Sequence, residues 1–410
     1  MDFNFELPKV NLLFGKGVSV KISEEVKKLG DNVLLVTGRN SMDQLGFTQK
    51  IIDHLKNHVI KVTVFNKITP NPTTELVDEG AKVALENKCN VIIGLGGGSS
   101  IDAAKAIAIV AGHSSTLNRT CSGSGQGEFQ SIWAFSPSQS TPLPITSKTL
   151  PIVAITSSSG TGSHVTRFSV ITNLELKQKM GIYSQHIFPK LSVVDLEILT
   201  NMPPALTAEC GVDVLTHCLE GLVSKNCNPI TEEMALKGIE LVFNYLTDTY
   251  RNGDNIRSRG AMALADTYAG FVITTSRVVL PHAMSHPISA YYPNISHGAA
   301  LAALTPHIMQ FNIENGDNTT LQKYCLASGA MGKRAFGTYK YEAMKSVEAV
   351  KELLKKIGMD KGLQELGVDP GSINNMVKSA MVTGQGPIES NPVEVKENDI
   401  VRIYKLSLGK

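Results

Sequence analysis

The chain has 410 residues, 42% of them apolar and 19% charged, with 39 basic side chains against 37 acidic ones. This is the composition of a soluble globular protein long enough for two domains, and a net charge of +2 gives no reason to expect nucleic acid or another polyanion as partner. The longest apolar runs, near Val91 and Ala103, are broken by glycines, Asp102 and Lys105, so none approaches the roughly 20 residues that span a bilayer.

The opening MDFNFELPKV has neither the basic leader nor the apolar core of a secretion signal. Cys89, Cys121, Cys210, Cys218, Cys227 and Cys325 include no C-x-x-C pair. Reduced thiols and a cytoplasmic location are the expectation. The run PKVNLLFGKG is apolar enough for a strand, and an edge strand there would suit pairing of two subunits into a homodimer.

Next come short β-branched runs, Asn32 to Gly38, Ile60 to Asn66, Asn90 to Leu95 and Pro151 to Thr156, the first three separated by helix-period segments such as Thr74 to Asn87. The alternation predicts a mostly parallel, doubly wound α/β sheet, whose ligands would sit at the carboxyl ends of the strands. After the third of these runs stands Gly94-Leu95-Gly96-Gly97-Gly98-Ser99-Ser100 and then the helix IDAAKAIAIVA. Glycines here let backbone approach a bulky anion, and the free N–H groups of the helix start suit a pyrophosphate; a plain tight turn is the other reading. After the fourth run, Ser157 to Ser163 adds hydroxyls at the same edge, which favours a nucleotide site.

From about Leu199 onward the periodicity is helical, as in Thr231 to Thr247 and Arg257 to Thr274. Two features stand out there. The stretch TAECGVDVLTHCLE, Thr207 to Glu220, sets Asp213 four residues before His217, and His282 and His286 repeat the spacing before His297 and Gly298. Residues four apart share a helix face. One Asp and three His make a mixed oxygen and nitrogen set that suits Fe(II) or Zn(II) better than calcium or magnesium. Spacing alone leaves open a metal site and separate, ordinary hydrogen-bonding roles.

Taken together, GGGSSIDAAKAIA (Gly96 to Ala108), SSSGTGSHVT (Ser157 to Thr166), the Asp213/His217 helix and HAMSHPISAYYPNISHG stand in the order seen in the iron-dependent, group III alcohol dehydrogenases, which this chain resembles over nearly its whole length. The resemblance implies a dinucleotide-binding α/β domain, set at 1–197, an all-helical metal-binding domain, set at 198–410, and an active site in the cleft between them. It implies metal ligands at Asp213, His217, His282 and His297, with His286 facing substrate as a proton relay. Cofactor contacts are implied at Gly97, Gly98, Ser99, Asp102, Ser158 and Thr161, with Lys179 near the nicotinamide ribose. The implied chemistry is metal-assisted hydride exchange between a small alcohol or aldehyde and a nicotinamide.

Departures from the family pattern carry information of their own. NAD-using members place an Asp just after the first strand of the alternating run, where it would repel a 2′-phosphate; this chain has Gly38, then Arg39, Asn40 and Ser41. We therefore expect NADP(H) to be preferred over NAD(H), with Arg39 or Ser41 meeting the phosphate. Where the family's loop usually ends in Glu stands His164. His286 and His297 are eleven residues apart, one more than expected, and Asn294 in a left-handed conformation would absorb the extra residue. The segment 114–149, with the only Trp, Trp133, reads as an enlarged loop: a surface insertion, or a flap shaping substrate access.

Phe168, Phe271, Tyr291 and Tyr292 are candidates for a partly apolar pocket or for core packing. A glycerol-type polyol dehydrogenase and a catalytically silent nucleotide- or metal-binding protein are the alternatives. A phosphorylated substrate is disfavoured, because Arg277 is the only basic residue between Ala261 and Ala300.

Overall fold

Strand β2 (Asn32–Gly38) shows how the first half of the chain folds: Val33 and Leu35 pack on one side, Leu34 and Val36 on the other, and all four are fully buried. Side chains alternate across a strand, so a continuous apolar run needs cover on both faces. The computed structural model, which describes residues 3, 5, 9–114, 129–333 and 336–409, supplies it with helices on each side.

The sheet has six strands in the order β1-β8-β5-β4-β2-β3, all parallel. They are β1 (Asn11–Gly15), β2, β3 (Lys61–Ile68), β4 (Val91–Gly96), β5 (Ile152–Thr156) and β8 (Leu191–Asp195). Helices α1 (Ile22–Lys27), α2 (Ser41–Gln44), α3 (Phe47–Lys56), α4 (Thr74–Glu86) and α5 (Gly98–His113) lie between them. An antiparallel hairpin, β6 (Phe168–Asn173) and β7 (Gln178–Tyr183), stands apart from the sheet.

The four strands expected from the β-branched runs are present, and so is β1 at the sheet edge. Sequence reasoning missed β6, β7 and β8. LSVVD is only five residues long, and the hairpin mixes polar with apolar residues, as a ribbon with one open face does.

From Leu196 the described chain is helical: α6 (Leu196–Leu199), α7 (Pro204–Val223), α8 (Pro229–Arg251), α9 (Ile256–Ser276), α10 (Leu280–Tyr291), α11 (His297–Asn315), α12 (Asn318–Ala330), α13 (Tyr339–Lys356), α14 (Ile373–Thr383), α15 (Gln385–Ser390) and α16 (Glu397–Ser407). Start signals are written locally. Pro204 and Pro229 occupy first-turn positions, where a missing N–H costs nothing, and Asn228 and Thr231 form a reciprocal capping box on α8.

Residues 115–128 of the expected insertion lie outside the described residues. Of the remainder, residues 129–136 pack against α4 and α5, while 137–148 are largely exposed. Ile132 and Phe135 join the core on that side of the sheet, the Ile132 N–H donates to Asp78 at 2.9 Å, and His113 receives the Thr146 N–H at 3.0 Å.

Sheet and helical layer are joined at Asp195, the last residue of β8 and fully buried. Its carboxylate accepts the N–H groups of Gly17 (2.8 Å), Ser19 (3.0 Å) and Glu197 (3.0 Å). Charge-assisted bonds of this kind contribute roughly 1.5–3 kcal/mol each, though not additively. Asp195→Ala is expected to lower the unfolding free energy by on the order of 3 kcal/mol in urea denaturation, because one buried and two part-buried N–H groups lose their acceptor.

Candidate metal and nucleotide site

The helical domain brings three histidines onto one oxygen. On α7, Asp213 and His217 are one turn apart and almost fully buried. His282, in the first turn of α10, and His297, the first residue of α11, come in from two further helices. Nε2 of His282, His217 and His297 lie 3.5, 3.6 and 3.7 Å from Asp213 Oδ1. The donor atoms of Asp213, His217 and His282 all lie within 4.8 Å of one another. The His217 and His282 rings stack at 4.5 Å, and His297, 23% exposed, closes the open side.

Among the described residues neither Asp213 Oδ1 nor His282 Nε2 has a hydrogen-bond partner, although both are buried. Orphaned buried polar atoms are expensive, and two facing each other across 3.5 Å call for something between them. Ligands about 2.1 Å from a tetrahedral ion would be roughly 3.4 Å apart, close to the 3.5–3.7 Å that separates Asp213 Oδ1 from each imidazole nitrogen, although His297 stands outside the group whose donors all lie within 4.8 Å of one another. The donor set therefore fits a borderline divalent metal.

Electrostatics point the same way. Burial works against a charged His282, but the Glu220 and Asp213 carboxylates overcome it and raise its pKa to about 9. Burial, with Lys179 nearby, pushes His286 and His297 well below the ordinary imidazole value, and burial also lowers His217. The site holds two buried carboxylates and asks for positive charge at its centre. His286 is not part of the tight group. Half-buried, it stands beside it, its ring 6.0 Å from that of His282 and 5.7 Å from that of His297.

Gly298 permits this approach. A Cβ there would sit 2.5 Å from the Glu209 carbonyl oxygen on α7, so only glycine lets α11 start this close to the helix carrying Asp213. The turn before it does not use Asn294 as expected: Asn294 has no positive φ, and the extra residue is taken up by a turn in which the Ile295 N–H donates to the Tyr292 carbonyl at 3.0 Å. Tyr292 points away from the metal ligands, its hydroxyl bonding Ser372 (2.8 Å) and the Asp369 N–H (3.1 Å).

At the carboxyl edge of the sheet the two glycine and serine loops close on each other. A Cβ on Gly98 would meet Thr161 at 2.6 Å, and one on Gly97 would meet Ser158 Oγ at 3.1 Å. No side chain caps the start of α5 at Gly97, so its free N–H groups and Ser99 face this junction available to an anion. Gly38, Arg39 and Ser41 form a turn at the end of β2, with Arg39 and Ser41 exposed.

Asp102 is engaged within the protein, Oδ1 accepting Ser163 Oγ (2.5 Å) and Oδ2 the Val170 N–H (2.9 Å). Fully buried Lys105 reinforces it, donating to the carbonyls of Ser163 and Phe168, both at 2.7 Å. These bonds fix the serine loop to α5 and the hairpin. Lys179, on β7, donates to Asn71 Oδ1 at 2.8 Å; burial lowers its pKa to about 8 against the pull of Asp213 and Asp102, so it lies within electrostatic reach of the metal ligands. Sequence reasoning missed Asn71, Glu220 and Asp266. Glu220 was legible in principle, seven residues and two turns after Asp213 on the same helix face.

Two family models divide the chain: Iron-containing alcohol dehydrogenase matches residues 8–196, and Fe-containing alcohol dehydrogenase family, C-terminal, matches residues 207–408. Among curated proteins, the 1,3-propanediol dehydrogenase of Citrobacter freundii is 31% identical over 98% of both chains. The NAD-dependent methanol dehydrogenase of Bacillus methanolicus is 28% identical over 99% of this chain and all of its own. Among solved structures, an archaeal halo-thermophilic alcohol dehydrogenase from a Red Sea brine pool superposes with a TM-score of 0.94 at 46% identity, covering 99% of each chain.

His164 faces the helical domain. Its Nε2 is 3.0 Å from Thr267 Oγ1 and its Nδ1 3.7 Å from Asp266 Oδ2, while Asp266 Oδ1 accepts the Gly162 N–H at 2.7 Å. Burial, with Lys105 adding, drives His164 down to about 3; burial also drives Asp266 up to about 8, with Asp213 adding and the N–H groups of Gly162 and Gly160 opposing. The pair therefore meets as two neutral groups. The contribution of Asp266, whose folded pKa is raised, is complete below about 3.8 and lost as pH rises through about 8; that of His164, whose folded pKa is depressed, is complete above about 6.5 and lost as pH falls through about 3. Between those unfolded values the slopes cancel, and above about 6.5 only the loss from Asp266 remains. Wild-type stability is expected to fall from about pH 6.5 to 8 more steeply than that of Asp266→Asn, in urea titrations of both proteins; parallel profiles would refute the neutral pair.

Proposed function

The chain belongs to the iron-containing alcohol dehydrogenase family, and from that premise we propose that it exchanges hydride between a small primary alcohol or diol and NADP(H), with Fe(II), or alternatively Zn(II), as its metal. The observation that carries the reading is the convergence of three imidazole nitrogens on the unpartnered Asp213 oxygen.

In this reading Asp213, His217, His282 and His297 hold the metal. When bound, the metal supplies a Lewis acid for the substrate oxygen and the nicotinamide supplies or takes up the hydride. The loop glycines Gly97 and Gly98, with Ser99, Ser158 and Thr161, cradle the dinucleotide phosphates, and Asp102 and Lys105 hold that cradle in shape. Lys179 stands at the nicotinamide ribose. His286, held neutral by its burial, is free to accept the alcohol proton at a ring nitrogen and pass it to solvent.

The absence of a carboxylate after β2 supports NADP(H), and with it aldehyde reduction as the working direction. The relative named above as NAD-dependent uses the other cofactor, so this preference would distinguish the two chains. Domains divide in this reading at about residue 197, between the ranges matched by the two family models. The edge position of β1, with Phe14 36% exposed, supports a homodimer paired through that strand. Free cysteines support a reducing, cytoplasmic setting.

Two measurements test this. NADPH-dependent butyraldehyde reduction by anaerobically purified protein is expected to track one Fe(II) or Zn(II) per chain, to vanish on chelation, and to fall by about three orders of magnitude or more in His282→Ala; metal-independent reduction would sink the reading, and nucleotide binding without turnover would bring forward the silent binding protein. Gly38→Asp is expected to shift the NADPH to NADH ratio of kcat/KM by on the order of 100-fold toward NADH, through repulsion of the 2′-phosphate. A Cβ at Gly38 meets nothing nearer than the Ile68 carbonyl, at 3.7 Å, so the change is sterically mild. A clear NADH preference in wild type would overturn the cofactor assignment.

A further inference from the structure

Glu220 is almost fully buried, yet it is not one of the groups that converge on the metal position. Its Oε1 accepts the N–H of Val279 at 2.9 Å and that of His282 at 3.1 Å, and its Oε2 bonds His282 Nδ1. Helix α10 has no side-chain cap of its own, and Pro281 removes one N–H from its first turn. Glu220 therefore caps α10 from another helix and grips the ring of the histidine in that first turn. Capping needs only an acceptor for the two N–H groups. The second oxygen does something a cap does not need.

We propose that Glu220 is a positioning residue for the metal site, holding His282 with its proton on Nδ1 so that the lone pair of Nε2 is aimed at the metal. The inference rests on the metal reading above. An ionised carboxylate only accepts hydrogen bonds, so Nδ1 must donate, and the coordinating pair is left on the nitrogen that faces Asp213 at 3.5 Å. Because the same carboxylate fixes the helix start and the ring, neither backbone nor side chain can turn without losing a bond to it.

Glu220→Gln separates the two roles. Its amide oxygen can still accept from Val279 and His282, but its NH₂ then faces Nδ1 and demands a lone pair there, which puts the proton on Nε2. Zn(II) affinity, measured by chelator competition, is expected to fall about 10–100-fold in Glu220→Gln, while the metal-free protein still folds and loses less melting temperature than Glu220→Ala. Glu220→Ala should lose both. Nitrogen NMR of selectively labelled histidines in the Zn(II)-loaded wild type is expected to show His282 protonated on Nδ1 and metal-bound through Nε2, a readout that needs no variant to fold.

Unchanged Zn(II) affinity in Glu220→Gln, or coordination of His282 through Nδ1, would overturn the proposal with the metal reading intact. A wild type that binds no Zn(II) would instead overturn the metal reading itself, and this proposal with it.

Discussion

A carboxylate oxygen buried without a hydrogen bond is the constraint on which the helical half of this protein depends. An isolated buried anion costs several kcal/mol even after relaxation, so Asp213 Oδ1 is tolerable only where cationic or coordinating partners surround it. Supplying them takes three helices brought within side-chain reach: α7 contributes the anion and one imidazole, α10 the second and α11 the third. Gly298 is the steric consequence, and the proline-led start of α10 is the local one. The packing of these helices serves the placement of four atoms.

The α/β half answers to a different requirement. Its sheet core is mainly apolar, with Asp195 buried and hydrogen-bonded at the end of β8, but the loops at its carboxyl edge expose backbone that a nucleotide would use, and such loops need rigid backing. Lys105 provides it from inside, its buried ammonium donating to the carbonyls of Ser163 and Phe168. The neutral His164 and Asp266 pair, and the crossing where a Cβ on Gly162 would come within 2.5 Å of the Gly270 backbone, then lock the same loop to α9. The serine loop thus touches both the sheet and the helical layer, which ties the position of the glycine and serine loops to that of the Asp213 group.

Much of this was legible in the sequence, for physical reasons that differ by element. The strands at Asn32 and Asn90 could be read because burial on both faces leaves an unbroken apolar run, and the long helices because 3.6-residue periodicity accumulates over many turns. Asp213 and His217, like His282 and His286, were found by spacing on one helix. That Asp213, His217, His282 and His297 converge was not in the spacing and came from resemblance. The hairpin carrying Lys179 has short strands with one open face, so its pattern is weak. The conformation of Asn294 was inferred from residue type alone, and a turn with ordinary φ did the job. His164 and Asp266 lie 102 residues apart in the chain, and no local rule joins them.

Among the described residues strand β1 pairs only with β8, residue Asn11 opposite Leu191. The first strand of the chain thus waits for one about 180 residues later, while β2 to β5 find their partners among themselves. Closing so long a loop is entropically slow, so the order of assembly should run against the order of synthesis: the middle of the sheet first, the amino-terminal strand last. Until β8 emerges, the flank of β5 that it will cover stays open, and an open, apolar strand edge is where a nascent chain is most exposed to wrong partners.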